Sequence, residues 1–128
     1  MKWMLALLVV GLTGWGGRQE APKPAAEKTN PVKATPESLA AGKKTYGFDC
    51  EMCHGKEGAG DGDLAESMKL KLKDYRDAGA LKALTDGQIY DIILKGKGQM
   101  TGEEDRLKDA QIWNVVNYVR SLAVKNKA

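Results

Sequence analysis

The segment CEMCH, residues 50–54, holds every cysteine and histidine of the chain. Thiolate and imidazole groups bind soft and borderline metal ions, and thiols can also attach a cofactor covalently. Because Cys50, Cys53 and His54 lie within one short segment, they indicate a single site with a single ligand.

Several chemistries use such residues, and most of them need more than this chain offers. A structural zinc site needs four ligands, and an iron–sulfur cluster normally needs four cysteines. A thioredoxin-like dithiol has the C-x-x-C spacing but lies on a βαβ scaffold, and a disulfide would leave His54 without a role. The remaining chemistry is covalent attachment of c-type haem, for which C-x-x-C-H is the signature. There, Cys50 and Cys53 each add to a vinyl group, and His54 offers a ring nitrogen to the iron.

The iron then needs a ligand on its other face, or that position stays open. No second histidine exists, so a methionine thioether is the expected ligand. Met1 and Met4 lie in the N-terminal apolar run, and Met52 is held between the two cysteines. Met100 lies in GKGQMTG, whose glycines let a backbone approach a flat ring closely. Met68 continues the apolar side of MKLKLK, where it also fits as a core residue.

The elements that position these residues are expected to be helices joined by long loops. Residues 37–88 contain no Val or Ile, which disfavours strands. One helix is predicted to open at Thr35 with Pro36 at its first position, and a second at Thr85 with a T-x-x-Q capping box. A third begins at Asp109 and carries apolar residues at helical spacing. These residues are Ile112, Val115, Val116, Val119 and Leu122.

Composition and charge limit the classes of function. The 128 residues suffice for one small domain, and their net charge is +3. Residues 37–128 carry 15 Lys or Arg and 15 Asp or Glu, so the domain has no broad basic face for nucleic acid. Residues 1–17 have the pattern of a signal peptide or an uncleaved N-terminal anchor. Residues 18–35, rich in Pro, Lys and Ala, are expected to be a flexible tether, and residues 36–128 the domain.

Over about residues 37–123 the sequence resembles the class I monohaem cytochromes c of bacterial type. The resemblance rests on AGKKTYGFDCEMCHGKEGAGDG, LTDGQIYDIILKGKGQM and QIWNVVNYVRSL. It implies an all-α, cytochrome c-like fold, in which three main helices include N- and C-terminal helices that cross around one covalent haem. Gly42 would lie where these two helices approach each other. The resemblance also places Met100, opposite His54, as the second axial ligand of the iron.

The same resemblance implies a function. We expect one haem c with its iron, bound through Cys50 and Cys53, to transfer electrons, and we expect no enzymatic activity. Redox partner proteins would dock weakly and transiently. The protein would be exported to the periplasm and would contact the membrane only through a retained N-terminal segment. The expected haem pocket consists of Leu64, Leu70, Leu72, Tyr75, Ile92 and Trp113.

Two alternatives and one surface feature stay open at this stage. A five-coordinate haem could bind a gas or reduce peroxide, with Arg106 or Gln99 as the polar group above the iron. The chain could also be the haem-bearing subunit of a larger oxidoreductase. A basic stretch could form a docking rim for an acidic partner or a solvated face; it consists of Lys69, Lys71 and Lys73.

Overall fold

The computed structural model describes residues 24–125, so the predicted signal segment lies outside the described residues. The helices are α1 (Pro36–Asp49), α2 (Glu51–His54), α3 (Asp63–Ser67), α4 (Asp86–Lys95) and α5 (Asp109–Lys125). A short antiparallel pair, β1 (Gly96–Lys97) and β2 (Met100–Thr101), follows α4, and one 3₁₀ turn spans Ala25–Glu27. Within residues 24–125 none of the helices has the length and apolar character needed to cross a bilayer. The all-α expectation is confirmed.

The helix ends follow the predicted capping pattern. The Thr35 hydroxyl accepts the Ser38 N–H at 3.2 Å, and Pro36 occupies the first turn of α1. At the start of α4, Thr85 and Gln88 exchange side-chain-to-backbone hydrogen bonds of 2.9 and 3.2 Å, which completes the capping box. Both caps satisfy backbone N–H groups that a helix start would otherwise leave unpaired.

The core forms where α1 packs against α5. A Cβ atom added to Gly42 would lie 2.7 Å from the carbonyl carbon of Asn114 and 2.8 Å from Cβ of Tyr118, and it would be closer still to the Asn114 oxygen. The predicted close approach at Gly42 is therefore confirmed. The apolar stripe of α5 is also buried as predicted, at 5% exposure or less for each member. Its members are Ile112, Val115, Val116, Val119 and Leu122.

Part of the segment expected to be a flexible tether (residues 18–35) contacts the domain, within the described residues 25–32. Asn30 donates from Nδ2 to Oδ1 of Asn117 at 2.8 Å, and Asn117 donates to the carbonyl oxygen of Val32 at 3.0 Å. Asn117 is 7% exposed and lies on α5. These paired amides hold the segment that we call the strap (residues 25–32) on α5.

Replacing Lys28 by methionine should lower the free energy of unfolding by about 1 kcal/mol, because the strap loses its ion pair with α4. Lys28 forms a 2.6 Å ion pair with Asp91 on α4, and its Nζ lies 5.2 Å from the centre of the Tyr90 ring. The hydrogen bond from Lys28 lowers the pKa of Asp91 below its usual 3.8. This contribution is therefore full at neutral pH and is lost as pH falls through the lowered pKa.

Urea unfolding of the wild type and the Lys28 variant, from neutral pH to below 3.8, measures this effect. Lys33→Met is the matched control, because Lys33 is exposed and its side chain forms no hydrogen bond or ion pair with another residue of the range 24–125. A difference between wild type and Lys28→Met that does not shrink on acidification would contradict the ion-pair account.

Candidate haem-binding site

One helical turn carries the two cysteines. α1 ends at Asp49, Cys50 has a non-helical φ of −124°, and α2 follows directly. The N–H groups of Cys53 and His54 both donate to the carbonyl oxygen of Cys50, at 3.2 and 2.9 Å. Both thiols are free and half-buried. Since residues at i and i+3 of a helical turn share one side, the two sulfur atoms can serve one ligand.

Burial also determines the state of the first thiol. Desolvation, with the carboxylates of Asp49 and Glu103 adding, raises the pKa of the Cys50 thiol to about 12. The free Cys50 thiol is therefore protonated and neutral at physiological pH.

His54 is placed beside them as a buried imidazole. Its ring stacks on Tyr75, with the ring centres 5.1 Å apart and an angle of 24° between the planes. Nδ1 is buried and has no hydrogen-bond partner among the described residues. Burial lowers the pKa of His54, which favours the neutral imidazole that a metal ion requires. A buried nitrogen left without a partner needs an explanation, and a bound group at this position supplies one.

The glycine-rich loop after His54 closes over this turn. The Gly60 N–H donates to the carbonyl oxygen of His54 at 2.8 Å, and the Gly62 N–H donates to that of Cys53 at 3.2 Å. Gly60 has a φ of +80°, a conformation that side chains rarely adopt. A Cβ on Gly62 would lie 2.6 and 2.7 Å from the carbonyl carbons of Met52 and Cys53. The loop therefore clamps the backbone of residues 52–54.

Two tyrosines complete the support. Tyr46 is 1% exposed, and its hydroxyl donates to the carbonyl oxygen of Gly55 at 2.7 Å. Burial raises the pKa of Tyr46, so the hydroxyl keeps its proton at neutral pH. The Tyr75 N–H donates to the carbonyl oxygen of Gly58 at 2.7 Å. Nothing in the sequence pattern indicates that the Tyr46 hydroxyl bonds the backbone at Gly55.

Met100 is held by an unpredicted hairpin. Lys97 pairs with Met100 and Gly96 with Thr101 in the two-residue strands. Gly96 and Gly98 have φ values of +80° and +61°, which the turn requires. Met100 is half-buried and packs against the same core cluster as Cys50 and Tyr75. Met68, in contrast, is 49% exposed.

The residues expected to line the haem pocket differ widely in how exposed their side chains are. Tyr75 lies on His54, as described above. Leu64 is 37% exposed, whereas Leu70, Leu72 and Ile92 are half-buried. Trp113 is buried and stacks on Tyr90, with the ring centres 4.2 Å apart. Their contact with a haem stays a prediction.

The basic stretch after α3 faces solvent. Lys69, Lys71 and Lys73 are all exposed, and Lys73 donates from Nζ to the carbonyl oxygen of Ala80 at 3.1 Å. Its role as a docking rim or a solvated face stays open.

The residues fit a covalent haem. Two free thiols lie on one turn, and the imidazole beside them is neutral and has a buried nitrogen that no described residue contacts by a hydrogen bond. A thioether packs against the same core cluster. Sulfur and neutral imidazole nitrogen are the donor atoms that haem iron and its thioether linkages use.

Comparison with known proteins supports this assignment. Residues 37–119 match the family described as cytochrome c oxidase, cbb3-type, subunit III. A cytochrome c6 of Cladophora glomerata is 36% identical over 93 residues, which cover 71% of this chain and 96% of that protein. The quinohemoprotein alcohol dehydrogenase ADH IIB of Pseudomonas putida is 31% identical over 94% of this chain, but this chain spans only 17% of its length.

A solved structure has the same fold over most of the chain. It is the Kuenenia stuttgartiensis reducing HAO-like protein complex Kustc0457/Kustc0458, with a TM-score of 0.64 and 27% identity, covering 81% of this chain and 52% of that one. Together with the site geometry, these matches identify the chain as a member of the cytochrome c family, a class I monohaem c-type cytochrome with covalently bound haem c that functions in electron transfer.

Proposed function

We propose that Cys50 and Cys53 form the haem thioethers and that His54 and Met100 are the two axial ligands of the iron. The observation that carries this proposal is the clamped turn of residues 50–54, which holds two free thiols beside a buried imidazole nitrogen that has no partner within residues 24–125. When bound, the haem supplies reversible one-electron chemistry, and Met/His ligation raises its reduction potential.

The residues of the chain position and shield this group. The backbone bonds from Gly60 and Gly62 and the stacked Tyr75 fix His54, and the hairpin fixes Met100. With protein side chains on both faces of the iron, no coordination position is left for a substrate. The chain by itself therefore transfers electrons and catalyses no reaction.

Its partners are other redox proteins, which it meets in weak and transient encounters. Such encounters have small interfaces, and the balanced charge of residues 37–128 suits exchange with more than one partner. A second candidate is a haem-bearing unit that serves a larger oxidoreductase. It is supported by the match to the quinohemoprotein alcohol dehydrogenase, of which this chain spans 17%.

The protein acts outside the cytoplasm, in the periplasm. The pattern of residues 1–17 is that of an export signal or an N-terminal anchor. A haem held by thioethers is also retained after export, when a loosely held cofactor could diffuse away. Retention of residues 1–17 would tether the domain to the membrane.

Visible spectra of the wild type and of Met100→Ala, matured in an export-competent host, test the ligand assignment. The wild type should be low-spin, should show the weak far-red band of methionine ligation, and should not bind carbon monoxide. Met100→Ala should lose the band completely and bind carbon monoxide at once, because it removes the sulfur ligand.

Met68→Ala is the matched control, since Met68 is the other methionine considered and is 49% exposed. It should keep the far-red band. A wild type that is already high-spin and binds carbon monoxide would overturn the proposal and favour the five-coordinate alternative. Loss of the band in Met68→Ala, with retention in Met100→Ala, would exchange the two ligand assignments.

A further inference from the structure

Three charged residues beside the proposed site have no part in the function described so far. Arg106 donates from Nη2 to Oδ1 of Asp49, and its Nη1 lies 3.5 Å from Oε2 of Glu103. The side chains of Asp49 and Glu103 are only 8% and 9% exposed, whereas that of Arg106 is 64% exposed. One exposed arginine therefore forms ion pairs with two carboxylates that are almost buried.

The two acids belong to the two halves of the site. Asp49 directly precedes Cys50, and Glu103 follows Met100 by three residues. Asp49 and Arg106 are 57 positions apart in the chain, so their hydrogen bond joins the haem-attachment turn to the segment that carries Met100.

Backbone bonds make the Met100 side of this link rigid. The Glu103 N–H donates to the carbonyl oxygen of Ile93 at 3.0 Å, which fixes it to α4. The N–H groups of Arg106 and Leu107 both donate to the carbonyl oxygen of Glu103, at 3.0 and 2.9 Å. The position of the arginine is therefore coupled through the backbone to the hairpin, which ends at Thr101, two residues before Glu103.

Electrostatics make Arg106 necessary for keeping the Met100 segment packed against the Cys50 turn. Burial raises the pKa of Glu103, Asp49 raises it further, and Arg106 opposes both. Oε2 of Glu103 is buried and accepts no hydrogen bond among the described residues. Without Arg106, the two carboxylates of Asp49 and Glu103 would be buried close together without a cation. Moving the Met100 segment away from the Cys50 turn would expose both carboxylates to water and so relieve this cost.

We propose that Arg106 is a positioning residue, which holds the Met100 segment against the Cys50 turn and so keeps the sulfur of Met100 at the iron. This inference rests on the proposed function, in which Met100 is an axial ligand. It also gives Arg106 a role different from that of a polar group above an open iron.

The test uses the ferric holoprotein and two readouts at neutral pH: the intensity of the far-red methionine band and the rate of cyanide binding. Cyanide enters only when methionine has left the iron. Loss of a charge-assisted hydrogen bond should raise the fraction of molecules in which methionine has left the iron. Arg106→Gln should therefore bind cyanide about tenfold faster and show a weaker far-red band. Arg106→Lys, which keeps the charge without the planar fork, should give intermediate values.

Arg76→Gln is the matched control, because Arg76 also pairs with an aspartate, Asp74, but in an exposed position. It should leave both readouts unchanged. Arg106→Gln combined with Glu103→Gln should recover part of the band, since it removes one of the two buried charges. If Arg106→Gln does not accumulate, Arg106→Lys against Arg76→Lys tests the same point.

The outcomes separate this inference from the ligand assignment. If the wild type has the far-red band, Met100→Ala loses it and Arg106→Gln matches Arg76→Gln in both readouts, the positioning role is overturned and the ligand assignment stands. If Met100→Ala keeps the wild-type spectrum, the ligand assignment fails and the inference falls with it.

Discussion

Gly42→Ala is expected to destabilise the domain by about 3 kcal/mol, enough to reduce its accumulation sharply. The added Cβ would lie 2.7 Å from the carbonyl carbon of Asn114 and 2.8 Å from Cβ of Tyr118. The Asn114 atoms that the added Cβ would contact belong to the backbone, so no side-chain rotation can relieve the clash. α1 and α5 would have to separate, and that contact is the centre of the core.

Gly47→Ala is the matched control in the same helix. Gly47 is exposed, and a Cβ there would meet only the flexible Glu51 side chain, at 3.5 Å. Alanine at this position should stabilise the domain by about 0.5–1 kcal/mol, because glycine is unfavourable inside a helix. Thermal and urea unfolding of the two holoproteins would measure both effects. Equal effects of the two substitutions would mean that α1 and α5 do not pack as closely as described.

Gly62→Ala should have the second large effect, with a loss of about 2–3 kcal/mol and a lower yield of covalently attached haem. A Cβ there would lie 2.6 Å from the Met52 carbonyl carbon and 2.7 Å from that of Cys53. The loop would have to leave the turn, and the hydrogen bond from the Gly62 N–H to the carbonyl oxygen of Cys53 would break. The spacing between the loop and the haem-binding turn would then be lost.

Haem-specific staining of denatured protein, normalised to total protein, measures the attached fraction, and urea unfolding measures stability. Gly79→Ala controls for the glycine-to-alanine change in a loop, since a Cβ there would meet only the Asp77 side chain, at 3.5 Å. We expect Gly79→Ala to retain the wild-type yield. A normal yield and stability in Gly62→Ala would show that the clamp is unnecessary for the site.

The parts of the fold that the sequence predicted correctly depend on neighbouring residues. The caps at Thr35 and Thr85 and the stripe of α5 follow from spacings of three or four positions, which a helix turns into contacts. The proposed roles of Cys50, Cys53 and His54 stay predictions, and they too rest on local spacing, because thioether attachment of haem requires C-x-x-C-H. Gly42 was identifiable because the family resemblance places it where the N- and C-terminal helices approach each other.

The features that sequence reasoning missed depend on distant pairings of polar groups. Asn30 and Asn117 are 87 positions apart, and neither carries a pattern that indicates the other. The same holds for the link between Asp49 and Arg106, since burial of an acid cannot be read from its neighbours. The hairpin around Met100 has two-residue strands, which are too short for an alternating pattern. Met100 was therefore chosen among the methionines by its glycines and by family resemblance.

The bound strap shortens the tether between residues 1–17 and the domain. With residues 25–32 held on the domain, only residues 18–24 remain between residues 1–17 and the first held residue, so the span is at most about 25 Å instead of about 60 Å for all of residues 18–35. If residues 1–17 are retained in the membrane, the largest volume that the haem domain can reach falls by about fourteenfold, with the cube of that maximum length. A partner fixed beside the anchor would then meet the domain at a correspondingly higher effective concentration, whereas a partner farther away would be out of reach.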